Sequence, residues 1–210
     1  MASRVAGLHV LIDPVRVPPA RLDRFLGDIA HAGAAIVQVR AKGAAEPDGL
    51  DYARQVVATA RRLGLVSIIN DRVDWALAAG ADGVHLGQED TPLADARRLV
   101  PPGFILGASA GSAGELDAAC RAGAGYVGIG PVYQTTSKSD AGPPLQPEGL
   151  RSLVAWLQRQ ASPPPAIAIG GIHPGNVEPV WRTGVQGVAV IQAVSGARDP
   201  GAAVRALLAR

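Results

Sequence analysis

The chain has few of the features that mark disulfide-linked, nucleic-acid-binding or membrane proteins. Its 210 residues include a single cysteine, and only 4% of them are aromatic. Cys120 has no partner for a disulfide or a cysteine metal site, and its small helical neighbours predict a buried packing role. A net charge of +2 without a dense Lys/Arg run argues against nucleic acid or an anionic membrane as a partner.

Long hydrophobic runs are also missing. The N-terminal stretch MASRVAGLHVLIDP is too poor in consecutive apolar residues for a signal peptide, and no segment approaches the roughly 20 apolar residues of a transmembrane helix. The chain is long enough for one well-buried domain and short for two. We therefore expect a single cytoplasmic domain over residues 1–210, and a homo-oligomer is compatible with this sequence.

What the chain does have is a repeat of short apolar runs separated by amphipathic segments of helical period. The runs are LHVLI (8–12), AIVQVR (35–40), VSIIN (66–70), GVHLG (83–87), FILGAS (104–109), YVGIG (126–130), AIAIGG (166–171) and GVAVI (187–191). Eight alternating units predict an α/β fold, a (β/α)8 TIM barrel with its site at the carboxyl ends of the strands. An open doubly wound sheet is the alternative, but no run is followed by a G-x-G-x-x-G turn.

One connection departs from this regular spacing. Residues 131–148, PVYQTTSKSDAGPPLQPE, have no helical period and are rich in Thr, Ser, Gly and Pro. Long irregular loops in compact domains usually carry function. We predict a lid-like loop that brings a lysine and several hydroxyls to the mouth of the barrel.

Polar residues lie at the end of nearly every predicted strand, and in a barrel these positions converge on one mouth. They are Gln38, Arg40, Lys42, Asn70, Asp71, Gln88, Glu89, Asp90, Ser109, Thr135, Thr136, Ser137, Lys138 and Gln192, and strand seven ends in the glycines Gly170 and Gly171. Simpler roles exist for some of them: Asp71 and Asp90 could cap helices, Arg40 and Lys42 could be solvated, and the two glycines could only pack tightly. The histidines His9, His85 and His173 lack metal-ligand spacing, and His85 is expected in the core or behind the site.

Together, these residue types suit a diphosphate substrate. Arg and Lys neutralise phosphate oxygens, and two carboxylates hold a Mg²⁺ ion that bridges such oxygens. Glycine-flanked amides after strands seven and eight are the usual phosphate site of this barrel. Two phosphate sites on opposite sides of one mouth predict two phosphorylated small-molecule substrates.

A rival motif predicts a different class of enzyme. Residues 107–111, GASAG, match the G-x-S-x-G turn of serine hydrolases, with Ser109 as nucleophile and His173 as the one downstream histidine. This interpretation leaves the cations and Asp71 and Asp90 without a role.

Five segments, VQVRAK, IINDRVDWALAAGADGVHLGQED, LGASAGS, YVGIGPVYQTTSKSD and IAIGGI, together resemble the thiamine-phosphate synthase family, in its order and over nearly the whole chain. The resemblance implies Mg²⁺-dependent transfer of a hydroxymethylpyrimidine diphosphate onto a thiazole phosphate, through a carbocation that the thiazole nitrogen captures. It assigns Asp71 and Asp90 to Mg²⁺. It assigns the pyrimidine diphosphate to Gln38, Arg40, Lys42, Asn70, Ser109 and Lys138, and the thiazole phosphate to Thr135, Thr136, Ser137, Gly171, Ile191 and Gln192.

Within that set, the resemblance gives Lys138, Arg40, Lys42 and Ser109 a part in catalysis. Four positions depart from the family pattern: Ala41 replaces an acidic residue, Ser137 a threonine, Gly111 a histidine and Gln192 a small hydroxyl residue. A thiazole tautomerase-like enzyme or a non-catalytic binding paralogue on the same barrel therefore stays open.

Overall fold

Eight parallel strands close into a barrel in the computed structural model, which describes residues 2–41, 48–135 and 142–209. The strands are β1 (Gly7–Ile12), β2 (Ile36–Val39), β3 (Val66–Asn70), β4 (Gly83–Leu86), β5 (Ile105–Ala110), β6 (Tyr126–Ile129), β7 (Ala166–Ile169) and β8 (Gly187–Val190). Each strand pairs with the next along the chain, and β1 pairs with β8 to complete the ring. The predicted TIM barrel is confirmed, and the open sheet is excluded.

Helices cover the outside of this ring. They are α1 (Pro19–His31), α2 (Asp48–Leu63), α3 (Val73–Ala79), α4 (Leu93–Leu99), α5 (Ala113–Arg121), α6 (Gln146–Gln158), α7 (Val177–Trp181), α8 (Gln192–Ser195) and α9 (Pro200–Leu208), after a 3-10 turn at Ala2–Val5. Local sequence sets several of their ends. Ser112, for example, caps α5 by accepting from the Glu115 amide, and Gly80 ends α3 in the left-handed region.

The large core lies between the strands and the helices. Alternate residues of each strand, such as Leu8, Val10 and Ile12 of β1, pack outward against apolar faces such as Leu22, Phe25, Leu26 and Ile29 of α1. The intervening residues fill the barrel, as in a packed core of this type. Leu11, Tyr126, Ile167 and Ala189 form that inner cluster, and Val5 of the 3-10 turn joins it.

The loop after β6 is shorter than predicted at its far end. Helix α6 begins at Gln146, inside the predicted range 131–148. The backbone amides of Leu145 and Gln146 donate to the carbonyls of Pro131 and Val132, so the two described ends of the loop are hydrogen-bonded together. Its central residues 136–141 lie outside the described residues.

Two further expectations from the sequence concern membrane-spanning segments and the burial of Cys120. Among the described residues, no helix is long and apolar enough to cross a membrane. Cys120 is a free thiol that packs against the core but is only half-buried, and burial raises its pKa.

His9 on β1 makes the stability of the barrel depend on pH. The imidazole is buried and its Nε2 lies 2.8 Å from the carbonyl oxygen of Val5, so a neutral ring donates to that carbonyl. Burial lowers the pKa of His9 from 6.5 to about 4. Between these values the unfolded chain binds more protons than the folded one, so stability falls as the pH drops from 6.5 towards 4, by about 3 kcal/mol.

His9→Gln keeps a side-chain N–H donor and removes the titration. We expect denaturant unfolding of the parent and the variant to show a difference in free energy that shrinks as pH falls through this range. Parallel curves over the whole range would show that His9 does not carry this pH dependence.

Candidate active site

Asp71, the residue after β3, has an unusual backbone conformation. Its φ is +67°, a left-handed conformation that non-glycine residues adopt rarely, with Asn and Asp the most tolerant. Its amide donates to the His85 carbonyl at 2.8 Å, which extends the β3–β4 pairing by one residue. Helix α3 has Arg72 at its cap position and no side-chain cap. Asp71 therefore does not occupy the cap position of α3, and backbone strain of this kind is typical of functional sites.

The capping explanation is wrong for Asp90. Helix α4 begins at Leu93 with Pro92 at its cap position and no side-chain cap. Instead, the Oδ2 of Asp90 accepts from the Gly87 amide at 2.7 Å, which holds the carboxylate over the turn that follows β4. Asp71 and Asp90 thus follow neighbouring strands of the barrel.

This pair of carboxylates fits the donor set of a Mg²⁺ ion. Mg²⁺ in phosphate-transfer sites is held by one or two carboxylates and completes its shell with water and substrate phosphates. Within the described ranges, no group of three or more His, Cys, Asp or Glu side chains could hold a metal ion by itself. A site built on Asp71 and Asp90 would therefore depend on the substrate for further ligands.

Gln38 and Ser109, both predicted to bind substrate, are joined through two other side chains. Gln38 Nε2 lies 3.3 Å from the Tyr126 hydroxyl, which lies 3.0 Å from His85 Nδ1. His85 Nε2 is 3.0 Å from Ser109 Oγ. The chain of contacts runs across the barrel through strands β2, β6, β4 and β5.

Sequence reasoning missed Tyr126 and gave His85 no contact with the site. The two contacts of Tyr126, with Gln38 and with His85, cross the barrel between strands that are not neighbours, so no local pattern indicates them. One signal was available: Tyr126 is a bulky polar aromatic inside an otherwise small apolar run, YVGIG, in a chain poor in aromatics. A buried tyrosine needs a partner for its hydroxyl, and in a barrel that partner comes from another strand.

The cations are only partly within the described chain. Arg40 lies just beyond β2, and its amide donates to the Ile12 carbonyl at 2.8 Å, so the backbone is still held by β1 at this point. The predicted site residues Lys42, Thr136, Ser137 and Lys138 lie outside the described residues. Thr135 is described and half-buried.

The two glycines after β7 are required by geometry. Gly170 and Gly171 have φ values of +106° and +65°. A Cβ on Gly171 would lie 2.5 Å from the carbonyl oxygen of Gln134, so a larger residue would clash with the segment that follows β6. Tight packing of this turn is therefore real, and it fixes the start of the β6 loop against the end of β7.

Asn176 stabilises the same turn and was missed by sequence reasoning. Its Nδ2 donates to the Gly171 carbonyl at 2.9 Å, and its Oδ1 accepts from the His173 amide at 2.8 Å. Its own carbonyl accepts from the Tyr133 hydroxyl at 3.0 Å. Asn176 thus links the glycine turn to the described start of the β6 loop.

Strand β8 leads directly into the short helix α8, which begins at Gln192 with Ile191 before it. The Oε1 of Gln192 accepts from Arg16 Nε at 3.2 Å, and Arg16 also pairs with Asp13. Arg16 and Asp13 belong to the loop after β1, the neighbour of β8 in the ring. A guanidinium that sequence reasoning did not consider therefore lies beside Gln192.

The serine hydrolase arrangement is not formed. Ser109 lies within strand β5 and not on a strand-to-helix turn, and its side-chain partner is His85. His173 instead accepts from the Gly175 amide through Nδ1, at 3.2 Å. The second nitrogen of His85 faces a phenol and not a carboxylate.

A family model described as thiamine monophosphate synthase matches residues 8–194. The chain belongs to this family. The resemblance read from the sequence motifs is thereby confirmed.

Relatives within the family are similar over nearly the whole chain. The thiamine-phosphate synthase of Methanoculleus marisnigri is 45% identical over 201 residues, which cover 95% of this chain and 92% of that protein. The bifunctional ThiM/ThiE protein of thiamine biosynthesis from Symbiobacterium thermophilum is 48% identical over 98% of this chain, and the chain spans 41% of its length.

A solved structure shows the same relationship at the level of the fold. The thiamine phosphate pyrophosphorylase of Pyrococcus furiosus superposes with a TM-score of 0.84 at 35% identity, over 98% of this chain and 95% of that one. The similarity in fold therefore covers the whole barrel, including the ends of all eight strands. The roles of individual site residues are not tested by these similarities and stay predictions.

Proposed function

We propose that the chain carries out its family's reaction, thiamine-phosphate synthesis, at this mouth by a dissociative displacement. The observation that supports the proposal most is the left-handed Asp71 beside the Asp90 turn, because it sets two carboxylates at adjacent strand ends. The Gln38–Ser109 contacts lie on the same part of the ring. The glycine turn after β7 is proposed as a separate phosphate site.

The chemistry of the pyrimidine substrate would make an activated protein nucleophile unnecessary. Its amino-substituted ring is electron-rich and can support a positive charge on the exocyclic methylene once the diphosphate departs. The thiazole nitrogen then forms the new C–N bond, so the protein needs only to stabilise the leaving group and orient the two partners. Arg40, Lys42, Ser109 and Lys138 are proposed to stabilise the diphosphate, and Gln38 and Asn70 to hold the pyrimidine.

Asp71 and Asp90 are proposed to hold Mg²⁺, which when bound would neutralise charge on the diphosphate oxygens. The Gly87 amide positions one oxygen of Asp90, which limits how that carboxylate can turn. The Asp90 carboxylate is thus held before substrate arrives, as catalysis by preorganised charge requires.

The thiazole phosphate is proposed to bind between the glycine turn and α8. Phosphate sites of TIM barrels commonly use the loops after strands seven and eight and a short extra helix. Gly171, Ile191 and Gln192 lie at those positions, and Thr135 follows the segment that packs on Gly171. Thr136 and Ser137 would complete the hydroxyl-rich side.

The test is product formation from the two purified substrates, with and without Mg²⁺. Thiamine phosphate and diphosphate in equal amounts, only when Mg²⁺ is present, would support the proposal. Isomerisation of the thiazole without formation of thiamine phosphate would indicate the tautomerase-like alternative. Binding of both phosphates without turnover would indicate the paralogue, and labelling of Ser109 by a fluorophosphonate would revive the hydrolase.

The proposal also covers where the protein is located and whether its copies assemble. A single free cysteine is what a reducing cytoplasm permits, so cytoplasmic localisation stays our prediction. A homo-oligomer is likewise proposed only as compatible with the fold. Small-molecule substrates are consistent with the family.

Gln192 provides a test of the thiazole side. We expect Gln192→Ser to leave kcat intact and to change KM for the thiazole phosphate by less than about tenfold, roughly one hydrogen bond to a charged group. Gln192→Glu is expected to be far worse, because it sets a carboxylate against a phosphate. The Arg16 contact would reduce that penalty, so Arg16→Gln combined with Gln192→Glu should bind least well.

Steady-state kinetics with each substrate varied in turn would check these effects. KM for the pyrimidine diphosphate should not change, because that substrate is assigned to the other side of the mouth. Unaltered thiazole phosphate binding in the double variant would show that Gln192 lies away from the phosphate.

A further inference from the structure

Tyr126 is the centre of a hydrogen-bonded chain that ends at two predicted substrate residues. It is 1% exposed, and its hydroxyl lies between Gln38 Nε2 and His85 Nδ1. Burial raises the pKa of Tyr126 far above its ordinary value, so the phenol keeps its proton. A buried hydroxyl that is protonated must donate to an acceptor or lose a hydrogen bond.

The donors and acceptors along this chain form one consistent order. The Gln38 amide N–H donates to the phenol oxygen, and the single phenol proton is then donated to His85 Nδ1. A neutral imidazole that accepts at Nδ1 carries its hydrogen on Nε2. That N–H donates to Ser109 Oγ at 3.0 Å, which leaves the Ser109 proton for a partner outside the chain of contacts.

The surrounding backbone is shaped to hold these rings. A Cβ on Gly107 would lie 2.2 Å from the Tyr126 ring, and one on Gly128 would lie 3.2 Å from His85 Cε1. The two rings stack with centroids 5.4 Å apart and an interplanar angle of 26°. The ring of His9 also packs against Tyr126, in an edge-on arrangement with ring centroids 5.4 Å apart. Strands β5 and β6 thus have glycine where the ring pair needs space.

We propose that Tyr126 and His85 are positioning residues that orient the Gln38 amide and set Ser109 as a hydrogen-bond donor towards the diphosphate. Diphosphate oxygens only accept hydrogen bonds, so a serine beside them contributes only if its own proton is free. The inference rests on the proposed function, because the polarity matters only if Ser109 faces a phosphate. The reversed order, with Ser109 donating to His85, would be the arrangement of an activated nucleophile.

A double-mutant cycle tests whether the hydrogen-bonded chain from Tyr126 through His85 acts through Ser109. Ser109→Ala and Tyr126→Phe are each expected to lower kcat, by on the order of tenfold to a hundredfold for loss of a hydrogen bond to a charged group. Part of the Tyr126→Phe loss is expected to come from the Gln38 amide and the rest through the serine hydroxyl, so adding Tyr126→Phe to Ser109→Ala should cost a clearly smaller factor than Tyr126→Phe costs alone. Multiplied effects would overturn the proposal and leave Tyr126 a purely structural residue.

Tyr52→Phe is the matched control for losing a buried phenol hydroxyl. Tyr52 is 3% exposed and donates to the Val17 carbonyl at 2.7 Å, outside the barrel interior. Any effect it has on kcat should multiply with that of Ser109→Ala. Thermal unfolding of both Phe variants would separate lost stability from lost positioning.

Substitutions at His85 test the direction of the hydrogen bonds. His85→Gln retains an N–H donor that can reach Ser109 and is expected to recover at least a tenth of the parent kcat, whereas His85→Leu should resemble Ser109→Ala. Equal activity of the two variants would overturn the donor role. A parent protein that forms no product would instead refute the proposed function, and labelling of parent Ser109 by a fluorophosphonate would indicate the reversed polarity.

Discussion

Asp71→Asn and Asp90→Asn are each expected to abolish most turnover at saturating Mg²⁺ while the protein keeps its fold. An amide replaces a charged metal ligand in each variant, and neutral oxygen is a much poorer partner for Mg²⁺ beside a diphosphate. The loss should exceed 10²-fold in kcat, comparable with the removal of other preorganised electrostatic groups. The measurement is steady-state turnover at increasing Mg²⁺ concentration.

Asparagine suits both positions structurally. Asn tolerates the left-handed backbone that Asp71 adopts at φ +67°. At residue 90, the amide oxygen of Asn can still accept from the Gly87 amide, as Asp90 does at 2.7 Å. The thermal midpoint should therefore change little, which separates lost metal binding from lost folding.

Asp74→Asn is the control, since Asp74 lies three residues beyond Asp71 in the first turn of α3. Its hydrogen bonds from Arg72 hold the pKa of Asp74 below its ordinary value, but the pair is exposed and contributes little to stability. Turnover should be close to that of the parent. Near-normal activity of both Asp71→Asn and Asp90→Asn would overturn the metal assignment.

Lys138→Ala is expected to lower kcat by on the order of 10²-fold or more, as for other preorganised electrostatic groups. Negative charge on the leaving diphosphate oxygen grows as the C–O bond breaks, so a lysine beside it stabilises the transition state more than the bound substrate. Binding of the pyrimidine diphosphate should weaken by a smaller factor. Single-turnover kinetics would separate the two effects.

Lys138→Arg distinguishes charge from shape. It keeps the positive charge but presents a planar fork in place of a compact ammonium group, so we expect an intermediate kcat. If the whole effect of Lys138→Ala fell on KM with kcat unchanged, this lysine would only anchor the substrate.

Much of the fold could be predicted from the sequence because the relevant information is local. Apolar runs such as VSIIN and GVAVI, separated by amphipathic segments, reproduce eight strands to within about two residues. Parallel order then fixes which strand ends meet, so residues as distant in sequence as Gln38 and Ser109 were placed at one mouth. The family motifs, themselves contiguous, were likewise sufficient to identify the family.

Boundaries of irregular segments were less well predicted. The segment PPLQPE contains three prolines, which usually interrupt a helix. Helix α6 nevertheless starts within it at Gln146, because Pro147 lies in the first turn, where its missing N–H costs nothing. The loop after β6 therefore ends earlier than its composition indicated.

The barrel and the family could be predicted from the sequence alone, because period, composition and motif spacing are properties of neighbouring residues. The side-chain contacts at the mouth became visible only in the folded chain. The Asp90 carboxylate accepts from the Gly87 amide, Arg16 contacts Gln192, and Gln38 is joined to Ser109 through Tyr126 and His85. These contacts link strands and loops far apart in the chain, and a side chain finds such partners only after the sheet has closed.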